Sequence, residues 1–107
     1  MKVGDYVRTD TGQIGKITLF EGDLARVDTD KFITYKSNHN EIIKSSPNII
    51  DLIEVGDYIN GLKVDKKYED RIVINTRDEI IVWFEYQIKS IVTKEQFESM
   101  EYKINKE

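Results

Sequence analysis

The sequence has no cysteine, one histidine, one proline and no long apolar run. Without cysteine the chain can form neither disulfides nor thiolate metal sites, and nothing in it requires an oxidising compartment. No stretch is apolar for long enough to predict a signal peptide or a membrane span. We therefore expect a cytoplasmic protein with no membrane partner.

Residues suited to catalysis or metal binding are few and poorly placed. His39 lies between Asn38 and Asn40 in a predicted loop, and without a second histidine or any cysteine a zinc site would need carboxylates alone. Neighbouring carboxylates fall in polar turns, where solvated charge is expected, and no phosphate-binding glycine motif occurs. We expect no catalytic residue, no metal and no cofactor.

Acidic residues outnumber basic ones by 20 to 16, which gives a net charge of −4. The excess lies mainly in the second half, because there are 7 basic and 8 acidic residues up to Ile53, and 9 and 12 after it. A basic stripe of the kind that contacts phosphates is absent. This argues against general DNA binding and leaves room for a local patch.

A short sequence repeat divides the chain. The tetrapeptide Val-Gly-Asp-Tyr at residues 3 to 6 returns at 55 to 58, and Ile-Lys-Ser follows at 43 to 45 and again at 88 to 90. The offset is 52 residues at the tetrapeptide (3 to 55) and 45 at Ile-Lys-Ser (43 to 88), so only loop lengths differ. We predict an internal duplication with units at 1–53 and 54–107, although four residues can also recur by chance.

In the first unit, alternating apolar and polar residues predict a meander of short strands between residues 5 and 44, with turns at 10–12 and 21–23. Ser46 and Pro47 are typical of a helix start, so a short helical segment should close this unit.

In the second unit, Asn60-Gly61 is a hairpin turn signal, and 71–76 with 80–86 form the clearest strand pair. Thr93 to Gln96 has capping-box form and predicts a helix from Lys94 to about 101, with 102–104 folding back.

Five short strands, tight turns and one helical turn in about fifty residues fit a small SH3-like barrel. The opening, residues 3–9 followed by 12–17, resembles the first hairpin of KOW and other SH3-like modules. The predicted fold is therefore all-β with short helices, arranged as two tandem SH3-like small β-barrels. One larger mixed barrel or sandwich is the alternative.

The strand from Ile80 to Phe84 is apolar on both faces. If Ile80, Val82 and Phe84 fill the second barrel, the other two side chains must cover the junction with the first unit or form an exposed partner-binding patch. The residues predicted to bind a partner protein are Trp83, Ile81, Tyr86, Asp78 and Glu79.

One basic cluster offers a nucleic-acid alternative, since it interleaves an aromatic residue with cations. Acidic neighbours at 65, 69 and 70 largely neutralise it, so a self-paired surface loop is the competing interpretation. The cluster consists of Lys63, Lys66, Lys67, Tyr68 and Arg71.

Residues 2–9, 42–61 and 88–102 together resemble a family of small, mostly uncharacterised proteins from phages and prophages of clostridia and related Gram-positive bacteria. The resemblance assigns no site residues, and members are expected to differ at 18–40 and 62–87. It implies a non-enzymatic protein of the host cytoplasm that binds and inhibits a host protein, such as a CRISPR nuclease or another defence component. A KOW-like nucleic-acid or ribonucleoprotein adaptor is the alternative, and the sequence leaves the oligomeric state open.

Overall fold

The computed structural model describes residues 1 to 100, except for the side chain of Met100. The chain is mostly β, in antiparallel sheets, with two 3-10 helices and one α-helix. The predicted folding back of residues 102–104 lies outside the described residues. The strands are β1 (Tyr6–Thr9), β2 (Ile14–Glu21), β3 (Leu24–Asp28), β4 (Ile33–Ser37), β5 (Ile42–Ser46), β6 (Tyr58–Ile59), β7 (Leu62–Lys63), β8 (Lys66–Lys67), β9 (Arg71–Asn75), β10 (Ile80–Phe84) and β11 (Ile91–Val92). The 3-10 helices are Ile49–Leu52 and Glu85–Gln87, and α1 is Lys94–Met100.

The first five strands form one sheet in the order β4-β3-β2-β1-β5. Alternation places one apolar set on the inner face, where Val7, Ile17, Ala25 and Val27 are buried and Ile42 packs against them. Strands β1 to β4 pair successively, as the sequence predicts for a meander, whereas β5 pairs with β1 at the opposite edge from β4. The register of β2 against β3 shifts between Ile17 and Leu19, a local irregularity that bends the sheet.

The later strands form two small sheets, β10-β9-β8 and β11-β6-β7, which the segment between β7 and β8 connects. Val64 N–H donates to the Asp57 carbonyl (2.8 Å), and Asp65 N–H donates to the Val73 carbonyl (3.0 Å). Residues 62–67 therefore lie between β6 and β9 as one bent strand. The order becomes β10-β9-β8/β7-β6-β11, which matches β4-β3-β2-β1-β5 strand for strand.

The sheets are open. Within residues 1–100 the outermost strands β4, β5, β10 and β11 each pair with a single neighbour. The closed barrels expected from the sequence are not formed, because closure requires the outermost strands to pair with each other. In the second half β6, β7, β8 and β11 have only two residues each, which is too short to extend around a closed barrel.

The repeated tetrapeptide forms the same turn twice. Gly4 and Gly56 both have positive φ, at 96° and 99°, a conformation that glycine adopts without steric cost. The following aspartates are both buried, and each carboxylate accepts a backbone N–H three residues earlier: Asp5 from Lys2 (3.1 Å) and Asp57 from Glu54 (2.8 Å). The repeat therefore marks equivalent strand entries.

A second equivalence lies in the hairpins β3-β4 and β9-β10. Each has a four-residue connection that begins with threonine, Thr29 or Thr76, 47 positions apart (29 to 76). The threonine hydroxyl donates to the carbonyl three residues later and accepts that residue's N–H, as Thr29 does with Phe32 (2.8 and 3.0 Å) and Thr76 with Glu79 (2.9 and 3.0 Å). The sequence analysis missed this match because the surrounding side chains differ.

Most local predictions are confirmed. Asn60 and Gly61 both have positive φ (51° and 85°), as the predicted two-residue hairpin turn requires. Thr93 caps α1 in a capping box, with its N–H donating to Gln96 Oε1 (3.1 Å) and its hydroxyl accepting the Gln96 N–H (3.3 Å). The strand predicted to continue through residue 86 ends at Phe84.

The segment between the two halves contributes to the second core. Ile50 and Ile53, in and just after the first 3-10 helix, are buried against Ile59, Val64 and Ile72. The predicted boundary between residues 53 and 54 falls at the end of this segment. The two halves thus share buried apolar side chains as well as a covalent connection.

A buried ion pair between Arg8 and Asp57 connects the two halves. The Arg8 guanidinium, on β1, donates to both carboxylate oxygens of Asp57 (2.5 and 3.0 Å), and both side chains are almost fully buried. Arg8 also donates to the Leu52 carbonyl (3.0 Å) and to Glu95 Oε2 (2.6 Å) at the start of α1. Burial opposes the charge of the guanidinium, but its bonds to Asp57 and Glu95 outweigh this and raise the pKa of Arg8.

Glu54 connects this pair to the surface. Its carboxylate accepts from Lys94 (2.8 Å) and lies near Lys44 (3.1 Å) and the Arg8 Nε (3.8 Å). The pKa of Glu54 is lowered to about 2, chiefly by the bond from Lys94 and also by Lys44 and Arg8, while partial burial acts in the opposite direction. The same bond raises the pKa of Lys94.

We expect this carboxylate to make stability depend on pH. Because the folded pKa of about 2 lies below the ordinary value of 4.5, its contribution is present above pH 4.5 and is lost as the pH falls toward 2. Glu54→Gln should destabilise the protein by about 1–2 kcal/mol at pH 7, after screening of the half-exposed lysines, and by almost nothing at pH 2. Urea unfolding at pH 7, 4.5, 3 and 2 measures this, with exposed Glu69→Gln as the control. A constant difference across that range would contradict it.

Candidate functional site

The inward and outward faces of β10 are the reverse of those expected from the sequence. Ile81 and Trp83 pack against the second core, whereas Ile80, Val82 and Phe84 are exposed, at 70%, 41% and 37%. The register explains the reversal, because Ile81 and Trp83 pair with the buried Ile74 and Ile72 of β9. Cross-strand partners share a face, so the three other side chains must point outward.

The exposed side of sheet β10-β9-β8 is named here the outer face, and it combines apolar and cationic groups. Val82 pairs with Val73, which pairs with Lys66, so these three side chains form a row across the sheet. In the next row Phe84 pairs with Arg71. In the third row Ile80 pairs with Asn75, and the full set is Lys66, Arg71, Val73, Asn75, Ile80, Val82 and Phe84.

The residues predicted to bind a partner protein separate into three groups. Trp83 and Ile81 are half-buried against the second core and do not belong to the outer face. Tyr86 is 77% exposed and its ring stacks on Phe84, with centroids 6.4 Å apart. Asp78 and Glu79 are exposed in the connection before β10. The two carboxylates therefore lie before the start of β10, and Tyr86 lies after its end.

The predicted basic cluster is also divided. Lys66 and Arg71 are on the outer face, and the Arg71 guanidinium lies over the Tyr68 ring at 5.4 Å. Lys67 pairs with buried Ile72 and thus lies on the opposite side, and Lys63 is on β7 in the neighbouring sheet. Three of the five predicted residues share a surface with the exposed apolar strand.

Strand β10 leaves one edge of its backbone unpaired in the described part of the chain. The Val73 carbonyl and the Asn75 N–H point toward Asp65, so the Ile72 and Ile74 backbone groups are the ones that face β10. Their partners Trp83 and Ile81 use their own backbone groups in this ladder.

The backbone groups of Ile80, Val82 and Phe84 consequently point away from the sheet. The Phe84 N–H confirms this direction, because it donates to the Gln87 side chain (3.0 Å) instead of to β9. We call this row of outward backbone groups the free edge. Ser37 on β4 is equivalent, since its N–H donates to the Glu41 side chain (2.9 Å).

Sequence reasoning had a signal for the outer face and did not use it. In β9 the polar Arg71 and Asn75 alternate with Ile72 and Ile74, which indicates that the two isoleucines face inward. A four-residue connection then pairs Ile74 with Ile81. Counting through that connection places Ile81 and Trp83 inside and leaves Phe84 outside.

Within residues 1–100 no group of three or more histidine, aspartate or glutamate side chains is placed to hold a metal ion. His39 is exposed and lies 3.4 Å from the carboxylate of Asp23, which is also exposed. Among the described helices, none is long and apolar enough to cross a membrane.

No protein-family model, curated protein or solved structure matches the chain. What the protein binds must therefore be inferred from the chemistry of its surface.

Proposed function

We propose that this chain is a non-enzymatic binding protein of phage or prophage origin. It acts in the cytoplasm of the bacterial host by occupying a surface of a host protein, with a CRISPR nuclease or another defence component as the concrete target. The observation that carries the proposal is the exposed apolar strand β10, whose three outward side chains lie beside a free edge. Exposed strand edges are normally protected, and contiguous exposed apolar groups are typical of protein interfaces.

We also infer that both halves derive from one SH3-like unit by internal duplication. The common strand order, the paired glycines with positive φ and the two threonine hairpins support this. The strand order and the threonine hairpins depend on residues outside the repeated tetrapeptide, so chance recurrence of the tetrapeptide does not account for them. Along the outward edge Tyr35 and Ser37 on β4 correspond to Val82 and Phe84 on β10, whereas the first position is isoleucine in both copies.

A nucleic-acid adaptor is the second candidate, and one observation favours it. The outer face places Lys66 and Arg71 beside Tyr68 and Phe84, and such cation and aromatic combinations bind single strands. Asp70 accepts a hydrogen bond from Arg71 (3.3 Å), which offsets part of this positive charge. The net charge of −4 also lowers phosphate affinity. The protein-binding proposal therefore remains first.

The proposal is tested by plasmid interference in a Gram-positive host that carries an active CRISPR nuclease. Expression of the protein should raise transformation by a targeted plasmid at least about tenfold, and purified protein should bind the purified nuclease. Val82→Lys with Phe84→Lys should abolish both effects, because charges at the centre of an apolar interface remain desolvated and unpaired.

The matched control is Tyr35→Lys with Ser37→Lys, the equivalent outward positions on β4, which should keep both effects. Equal loss in both variants, or no change in β10 variants, would contradict the proposal. Salt-dependent binding of single-stranded RNA or DNA that Lys66→Glu with Arg71→Glu removes would instead select the adaptor function.

A further inference from the structure

We propose that β10 binds its partner by strand addition, and that the partner segment is an extended strand with apolar residues at alternate positions and basic residues at both ends. This inference rests on the proposed function, since it names the partner chemistry at the same surface. In strand addition the backbone hydrogen bonds supply affinity, and side chains at alternate positions supply specificity.

The backbone geometry of β10 suits a new strand. Ile80 and Val82 direct their N–H and carbonyl groups to the free edge, where the described chain offers them no partner. The Phe84 N–H is already satisfied by Gln87 (3.0 Å), which sets the end of the available segment. An added strand would continue the sheet β10-β9-β8 and extend its outer face.

The side chains determine what the added strand should contain. Ile80, Val82 and Phe84 are exposed along one side of the edge, so apolar residues at alternate positions of the partner would cover them. Burying this surface removes apolar area from water, which is the main favourable contribution to association. Polar residues at the intervening positions would face the opposite side.

The charges at the two ends of β10 determine the flanks. Asp78 and Glu79 are exposed just before the strand, and Glu85 follows it, held by a hydrogen bond from the Ile49 N–H (2.8 Å). Arg77 offsets one of these three carboxylates, and Arg71, opposite Phe84, is itself hydrogen-bonded to Asp70, so acidic groups remain in excess at the ends of the strand. A partner strand with lysine or arginine at each end complements this arrangement, and electrostatic complementarity selects such partners.

The same charges argue against a second copy of this chain as the occupant. Antiparallel self-pairing centred on Val82 would place Glu79 of one copy opposite Glu85 of the other at both ends of the strand pair. Like charges directly opposite each other destabilise a strand pair. Parallel self-pairing in register would align Asp78 and Glu79 with their own copies.

The test uses a synthetic peptide with isoleucine and threonine alternating over five positions and two lysines at each end, and a matched peptide with glutamates at the ends. Fluorescence anisotropy of a dye-labelled peptide measures docking, because the single tryptophan, Trp83, lies in β10 but packs against the second core. The lysine peptide should bind at least about tenfold more tightly than the glutamate peptide at low salt. Equal affinities, or no binding of the lysine peptide, would overturn the inference.

Two variants separate backbone pairing from side-chain contact. Val82→Pro removes an N–H that points to the free edge, not one in the β9 ladder, so the fold should tolerate it. Val82→Pro should weaken binding of the lysine peptide at least about tenfold, whereas Tyr35→Pro, at the equivalent position of β4, should leave its binding unchanged. If Val82→Pro binds as the wild type does, strand addition is wrong.

Two further measurements do not depend on the folding of these variants. N-methylation of alternate amides of the lysine peptide should abolish binding to the wild-type protein, and retained binding would overturn the inference. In sedimentation the wild type should be monomeric, and a dimer that Val82→Pro dissociates would identify a second copy as the occupant. The peptide experiments can fail while Val82→Lys with Phe84→Lys still abolishes nuclease inhibition. That result would rule out strand addition and leave the proposed function intact.

Discussion

Asp57→Ala is expected to destabilise the protein by about 3–5 kcal/mol, the cost of removing one partner from a buried ion pair. Asp57 accepts two hydrogen bonds from Arg8 (2.5 and 3.0 Å) and one each from the backbone N–H groups of Glu54 (2.8 Å) and Lys94 (2.9 Å). Its loss leaves the almost fully buried guanidinium without its main counter-charge. Since domains of this size are stable by about 5–15 kcal/mol, the variant should lose a large part of its stability.

The internal repeat supplies the control for this prediction. Asp5 occupies the equivalent turn and accepts one backbone N–H from Lys2 (3.1 Å), and within residues 1–100 no arginine is paired with it. Asp5→Ala should therefore cost about 1 kcal/mol, the usual net value of one hydrogen bond. Thermal and urea unfolding of both variants measure the difference. Similar losses would show that the aspartate matters for its turn and not for the ion pair.

A double-mutant cycle tests the pairing itself. Arg8→Met should also be strongly destabilising, but Arg8→Met with Asp57→Ala should cost less than the sum of the single changes, because neither charge is then left alone. Strict additivity of the two changes would contradict the role assigned to the pair.

Gly12→Ala is expected to destabilise the protein by about 2–5 kcal/mol, combining backbone strain with overpacking. Gly12 has φ of +84°, and an added Cβ would overlap the Thr93 hydroxyl and lie 2.8 Å from Glu95 Cβ. The same hydroxyl donates to the Gly12 carbonyl (2.7 Å), so the turn after β1 and the start of α1 would have to separate. The damage should be concentrated at the junction between the halves.

Gly61 is the matched control, because its φ of +85° is almost the same and an added Cβ meets nothing within 4 Å. Gly61→Ala should show the backbone strain alone, about 1–2 kcal/mol. Urea unfolding compares the two, and hydrogen exchange at α1 should increase only in Gly12→Ala. Equal destabilisation would mean that contact with Thr93 contributes nothing.

Local features of the fold followed from the sequence because each depends on a few adjacent residues. Turn chemistry located the Asn60-Gly61 hairpin, and the capping box at Thr93 located α1. The repeated tetrapeptide indicated two equivalent strand entries. The prediction of closed barrels was wrong, because closure depends on strand length and on pairing between distant edges, and no short segment of sequence encodes these.

The candidate site was predicted only in part, for a related reason. The sequence identified β10 as unusual, because it is apolar on both faces, and it grouped Tyr68 with Arg71. Which face of β10 is exposed depends on register against β9, and a shift of one residue inverts every side chain. The sequence analysis placed Trp83 in the partner-binding patch because it is aromatic, whereas the exposed positions are those of its neighbours Val82 and Phe84.

The absence of cysteine and of histidine pairs, the turns and the repeated tetrapeptide are properties that the sequence determined by itself, because they depend on residue identity and short spacing. Only the tertiary structure decided that Arg8 meets Asp57 across 49 positions of chain (8 to 57), and that β10 presents Ile80, Val82 and Phe84 to solvent. The second outcome depends on the register of β10 against β9, and the first depends on how the two sheets are placed relative to each other. That placement is set by packing over the whole molecule, where many weak contacts act together.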